Sequence, residues 1–181
     1  MTPPPRVLLI IVTVCCGLTA ALVFLLALPE VTAACGAPPL DTRPFWSREE
    51  ALELARTCGQ EGRAAYRRLA LLDLLHPVLV AATLVLWVRW SRSPHRRPSL
   101  VVQAVILLGA GADLMENWAV WTLLAGGPGL DGSALLRVGG GISLAKNVLV
   151  SFGMLGAAAV ILDAVRHRVL TRRHTDEHDK A

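Results

Sequence analysis

Four apolar runs constrain this chain more than any other feature: Val7 to Leu28, Leu69 to Val88, Leu100 to Ala125 and Ile142 to Val165. Each is long enough to cross a hydrocarbon core about 30 Å thick. In lipid the backbone must satisfy its own hydrogen bonds, so each run is expected to be a helix. The apolar residues are gathered into these runs instead of recurring at a helical or strand period, and 54% of the 181 residues are hydrophobic against 18% charged. This pattern predicts an all-α integral membrane four-helix bundle, a single domain over 1–181 with an outer loop at 29–68 and a tail at 166–181. The polar remainder is too short for a soluble catalytic domain.

Orientation follows from the basic residues. Arg89, Arg92, Arg96 and Arg97 crowd the short connection after the second span, and Arg166, Arg168, Arg172, Arg173 and Lys180 mark the tail. Both regions are therefore expected in the cytoplasm, with both termini, and the protein in the cell (plasma) membrane. Arg43, Arg48, Arg56 and Arg63 in the long loop are mixed with Asp41, Glu49, Glu50, Glu53 and Glu61. The net charge of +4 is mostly this topology signal. It fits a lipid bilayer as partner and not a nucleic acid. The first run is read as a retained span and not a signal peptide: it exceeds the usual length of a signal core, and Thr32-Ala-Ala-Cys35 lies beyond Pro29-Glu30 with a poor residue at the start of a lipoprotein box.

Cys35 and Cys58 both fall in the outer loop, where an oxidising compartment permits a disulfide. Cys15 and Cys16 sit inside the first span as small packing residues. Ser47-Arg-Glu-Glu50 has the form of a capping box and predicts a short amphipathic helix with Ala51, Leu52, Leu54 and Ala55 on its apolar side. That helix is expected to lie as a lid along the outer surface, with Phe45 and Trp46 at headgroup level.

The third span interrupts its apolar run with Asp113, Glu116 and Asn117, which share one helical face. Ionisable groups at membrane depth are costly unless paired, protonated or hydrated, and so mark a site or a packing network. The second span adds Asp73 and His76, spaced i, i+3, and Pro77, which leaves the Asp73 carbonyl without its helical donor. The fourth span, opened by Gly139-Gly-Gly141, carries Lys146 and Asn147, with Ser143 and Ser151 flanking as an inward stripe. At 1.5 Å per residue these groups fall in one layer of the outer half: Asp73 and His76 about 6–10 Å below the outer end, Glu116 about 13 Å and Lys146 about 6 Å. Tyr66 and Arg63 form a candidate outer rim. Three carboxyls face one lysine, so a proton or a cation is expected to balance the layer. Gly109-Ala-Gly-Ala112 invites close helix approach, and Trp87, Trp90, Trp118 and Trp121 read as interfacial belts. Gly126-Gly-Pro-Gly129 and Gly139-Gly-Gly141 read as turn glycines and as glycines that open a helix. No nucleophile elbow, Walker loop, zinc-protease helix or haem motif occurs in the sequence.

Taken in order, Gly59-Gln-Glu-Gly-Arg63, Tyr66, Asp73 with Pro77, Ala112-Asp113 with Glu116-Asn117, and Lys146 resemble a family of small, functionally uncharacterised bacterial four-span membrane proteins, actinobacterial in composition. The resemblance covers about Ser47 to Lys146. It implies a shared four-helix architecture and polar centre, but no activity, cofactor or metal. The family is aromatic where this chain has His76, a departure that weakens a metal-ligand role for His76. Three classes stay open: a proton-, cation- or lipid-headgroup-handling site, a scaffold or accessory subunit whose polar network fixes packing, and an enzyme on a lipid-like substrate. A homodimer or a membrane-protein partner is compatible with each.

Overall fold

The computed structural model describes residues 4–91, 93, 95–126 and 134–178. Within them the chain is all-α, and four helices are long and apolar enough to cross a membrane: Arg6–Cys35, Gly59–Ser91, Arg96–Leu124 and Leu136–Leu170. Arg92, Lys180 and Gly127 to Gly129 lie outside the described residues, and at Arg172 and Arg173 only the helical backbone is described.

The first span is built from α1 (Arg6–Leu22) and α2 (Leu28–Cys35), joined through one π turn at Val23–Ala27. Pro29 accounts for the turn. Its ring would crowd the carbonyl of Leu25 and it has no N–H to offer there, so the helix widens and the Leu28 amide donates to the Val23 carbonyl instead. Gly36, at φ 71°, ends α2 in the left-handed conformation that glycine adopts without strain. A 3-10 turn at Leu40–Thr42 follows, then α3 (Arg48–Thr57), α4 (Gly59–Ser91), α5 (Arg96–Gly126) and α6 (Ala134–His178).

The helices outrun the apolar runs. α4 starts well before Leu69, because the segment from Gly59 to Arg68 continues the helix above the apolar stretch. α6 starts at Ala134, so Gly139-Gly-Gly141 lies inside a helix and does not open one. Two of those glycines are required by packing: a methyl group at Gly139 would stand 1.9 Å from the Trp46 ring, and one at Gly140 would stand 2.1 Å from the Trp46 carbonyl.

α5 and α6 make the most extensive helix contact. Its closeness rests on small residues, since a Cβ on Gly109 would reach 3.3 Å from the Val150 amide and a Cβ on Gly153 would reach 3.1 Å from Ile106. Apolar packing divides into two clusters. One, at the end bearing the long loop, holds Val31, Leu40, Trp46, Leu54, Leu69 and Leu123; the other, toward the tail end, holds Ala81, Val88, Ile106, Ala157 and Val160. At the tail end, Arg168 donates to the Ser91 carbonyl and His95 faces Asp163 at 3.9 Å, fastening the α4–α5 connection to α6. Ile10, Leu25, Leu71, Leu108, Phe152 and Leu155 point outward, an apolar girdle that suits a bilayer and not water. Trp118 is exposed on the same girdle, as a lipid-facing residue is.

Candidate functional site

The polar layer between the two clusters is assembled around Lys146. The helical repeat sets Asp113, Glu116 and Asn117 on the face of α5 that meets α6, and Lys146 of α6 lies opposite. Its Nζ is 2.5 Å from Glu116 Oε2 and 3.6 Å from Asp113 Oδ1, and donates to the backbone carbonyl of Asp41 at 2.7 Å. Glu116 is completely buried, and its other oxygen accepts from Trp46 Nε1 at 3.3 Å. Asn117 Nδ2 donates to the carbonyl of Asp73 at 2.9 Å. That carbonyl is the acceptor orphaned by Pro77, so the amide of one span repairs the backbone of another. Asn117 Oδ1 has no hydrogen-bond partner among the described residues.

The long loop supplies the roof. Tyr66 OH accepts from the Leu40 amide at 3.0 Å and donates to Asp41 Oδ1 at 2.9 Å. Ser143 Oγ donates to the Arg43 carbonyl at 2.8 Å. Asp41 also brings its carboxyl against Asp73, adding a fourth acid to the layer. Leu40 and Trp46 are buried to 0% and 2% exposure, so the loop plugs the bundle's end instead of lying across it. Phe45 is exposed, whereas the expected headgroup position fails for Trp46, which the Gly139–Gly140 surface of α6 admits into the core. Tyr66 is likewise buried beneath the loop, a roof support more than a rim residue, while Arg63 stays at the rim. The expected lid helix is α3, with its capping box formed: the Ser47 amide donates to Glu50 Oε2 at 2.7 Å and the Glu50 amide to Ser47 Oγ at 3.2 Å. Cys35 and Cys58 are disulfide-bonded.

Some expected members stand apart. Asn147 donates to the Ser143 carbonyl one turn back in its own helix and joins none of the carboxyls by a hydrogen bond. Ser151 is exposed, because each four-residue step turns about 40° past a full rotation and two steps carry it off the inward face. His76 lies one turn below Asp73, with Nδ1 3.2 Å from Thr19 Oγ1. The Thr19 hydroxyl donates to the Cys16 carbonyl at 3.0 Å, so the imidazole Nδ1–H is the donor to Thr19, and in the neutral ring Nε2 keeps its lone pair.

On the side of the polar layer away from the loop lies a cavity of about 320 Å³ between the spans. Phe24, Pro77, Ala81, Ile106 and Met154 wall it, and Asp113 and His76 are its ionisable members. The π turn carries Phe24 to its edge, where the ring meets His76 edge-on with centroids 6.3 Å apart. Among the described residues no cluster of three His, Cys, Asp or Glu side chains is arranged to hold a metal ion. The chemistry available is a carboxylate already held by an ammonium, an imidazole and an apolar chamber. Comparison with known proteins adds no relative: no protein-family model, no curated protein and no solved structure matches this chain.

Proposed function

We propose that this multi-pass protein binds an amphiphilic, lipid-like molecule between its helices, the apolar body in the cavity and a hydrogen-bonding head on Asp113 and His76. The observation that carries this reading is a mostly apolar chamber of about 320 Å³ with those two polar groups at its edge. Its volume falls in the range of small-molecule sites, and a few convergent polar groups in an apolar wall is how such sites fix orientation. The roof of Leu40, Trp46 and Tyr66 closes the loop end, so a ligand enters sideways from the bilayer. A head that donates hydrogen bonds, such as a hydroxyl or an amine, matches a carboxylate oxygen and an imidazole lone pair. Four carboxyls, Asp41, Asp73, Asp113 and Glu116, gather about Lys146, and burial disfavours that excess of negative charge. In this reading the membrane is the plasma membrane, with the basic connection and tail in the cytoplasm.

The test is purification into lipid nanodiscs, mass spectrometry of the retained lipids, and thermal melts of wild type, Asp113→Asn and Ala81→Phe. A lipid enriched over the bulk in wild type and lost from both variants is the expected result. No enrichment, with the same melt in every lipid tried, would overturn it. A second reading, a scaffold fastened by its polar layer, is favoured by the bonds from Lys146 and Ser143 to loop carbonyls. It predicts that Asp113→Asn melts earlier by the same margin whatever lipid is present.

A further inference from the structure

At the loop end of α4 and α5, away from the cavity, a crevice of about 50 Å³ is lined by Arg63, Tyr66, Arg67, Trp121 and Leu124. Arg63 and Arg67 are spaced i, i+4 and so present their guanidinium groups from one face, one turn apart. Neither makes a hydrogen bond or ion pair with a described residue, whereas their neighbour Arg68 is held by Glu30, and Arg43 by Glu50 and the Pro38 carbonyl. The floor is rigid, since Tyr66 is fixed by its two bonds to the loop. Asp41 accepts from that tyrosine and is not among the residues that line the crevice. Trp121 and Leu124 put an apolar wall beside the two cations, as at a membrane–water boundary.

We infer that the Arg63–Arg67–Trp121 crevice is a binding site for a phosphate group, held between the two guanidinium forks against the indole. Guanidinium pairs bind phosphate oxygens in a directed, two-pronged way that an ammonium does not match. The crevice admits a headgroup but no chain, so an acyl chain attached to that phosphate runs down the outside of α4 and α5. The phosphate comes from a phospholipid of the surrounding leaflet or from a soluble phosphate ester, and the experiment separates the two.

The full chain in non-ionic detergent is melted with added phosphatidylglycerol, with diacylglycerol of the same acyl chains, and with glycerol phosphate at constant ionic strength. Phosphatidylglycerol is expected to raise Tm by about 2–4 °C and diacylglycerol to leave it unchanged. Arg63→Gln/Arg67→Gln should lose the shift, and Arg56→Gln, which removes a charge from the exposed face of α3, should keep it. Both substitutions put a good helix former on an exposed or half-exposed helix face, so the fold persists. An equal shift with glycerol phosphate assigns the site to soluble esters. A wild type that no phosphate compound shifts, a double variant that keeps the shift, or an Arg56→Gln variant that loses it would each overturn the inference. None of these outcomes depends on whether the cavity between the spans holds a ligand.

Discussion

Lys146 carries the polar layer, because one ammonium answers Glu116, Asp113 and the Asp41 carbonyl at once. Removing one partner of a buried pair leaves an uncompensated charge and costs roughly 3–5 kcal/mol, far more than the pair's net worth. Lys146→Met is therefore expected to lower Tm in detergent by about 6–20 °C, and Lys146→Met/Glu116→Leu to recover part of the loss. An unchanged melt in the single variant would mean that the layer is hydrated and the pair weak. The spans' own charges were legible in the sequence because a charge inside an apolar run has few explanations. Asp41 was not, since an aspartate in a polar loop is ordinarily solvated and nothing local marks it as turned inward. Trp46 misled for the opposite reason: an aromatic beside a membrane helix suits the headgroups, and its burial depends on Gly139 and Gly140, distant in sequence. Gly139 and Gly140 are the sequence signal for that burial, and glycines at those positions equally suit the opening of a helix.

At the scale of elements, α4 is broken at one bond and mended by α5. Pro77 removes the donor for the Asp73 carbonyl, and Asn117 supplies another at 2.9 Å. Asn117→Leu should then cost about 1–3 kcal/mol by leaving a buried acceptor unpaired. In a Pro77→Ala background the restored amide can bond that carbonyl, so the same substitution should cost clearly less; equal costs in the two backgrounds would show that the proline and the asparagine act independently. α3 offers a pH test outside the membrane. The Ser47 backbone amide, then the Ser47 side chain, hold the Glu50 carboxyl below its usual range. A carboxylate whose folded value is lowered adds stability above its unfolded value and loses it as pH falls through the folded one. The stability margin of wild type over Glu50→Gln is thus expected to be present at neutral pH and to vanish once pH drops well below the ordinary value of 4.5, a small effect because Glu50 is exposed. A margin that stays constant with pH would show that the cap does not need the charge.

For the whole molecule, the apolar runs were enough to foresee four spanning helices, but not how far the loop descends between them. Membrane crossing is a local property of twenty or so residues, while the depth of the plug is decided by contacts among the loop, α4 and α6 that no single stretch encodes. The disulfide is where the two scales meet. Cys35 closes the first span and Cys58 precedes the second, 23 positions apart in sequence, and both are buried in the cluster that holds Leu40 and Trp46. Closing a loop of this length restricts the unfolded chain by about 3 kcal/mol in the chain-entropy model. Cys35→Ala/Cys58→Ala is therefore expected to lower Tm by about 6–12 °C. The loss should not be confined to the unfolded state. The loop brings the Asp41 carbonyl to Lys146 and the Trp46 indole to Glu116, so a looser loop withdraws two partners from buried charges. Hydrogen exchange over residues 39–46 should then accelerate in the folded variant, and Lys146→Met in that background should cost less than in wild type. Exchange that stays slow while Tm falls would show instead that the polar anchors hold the plug unaided and that the disulfide acts on the unfolded chain alone.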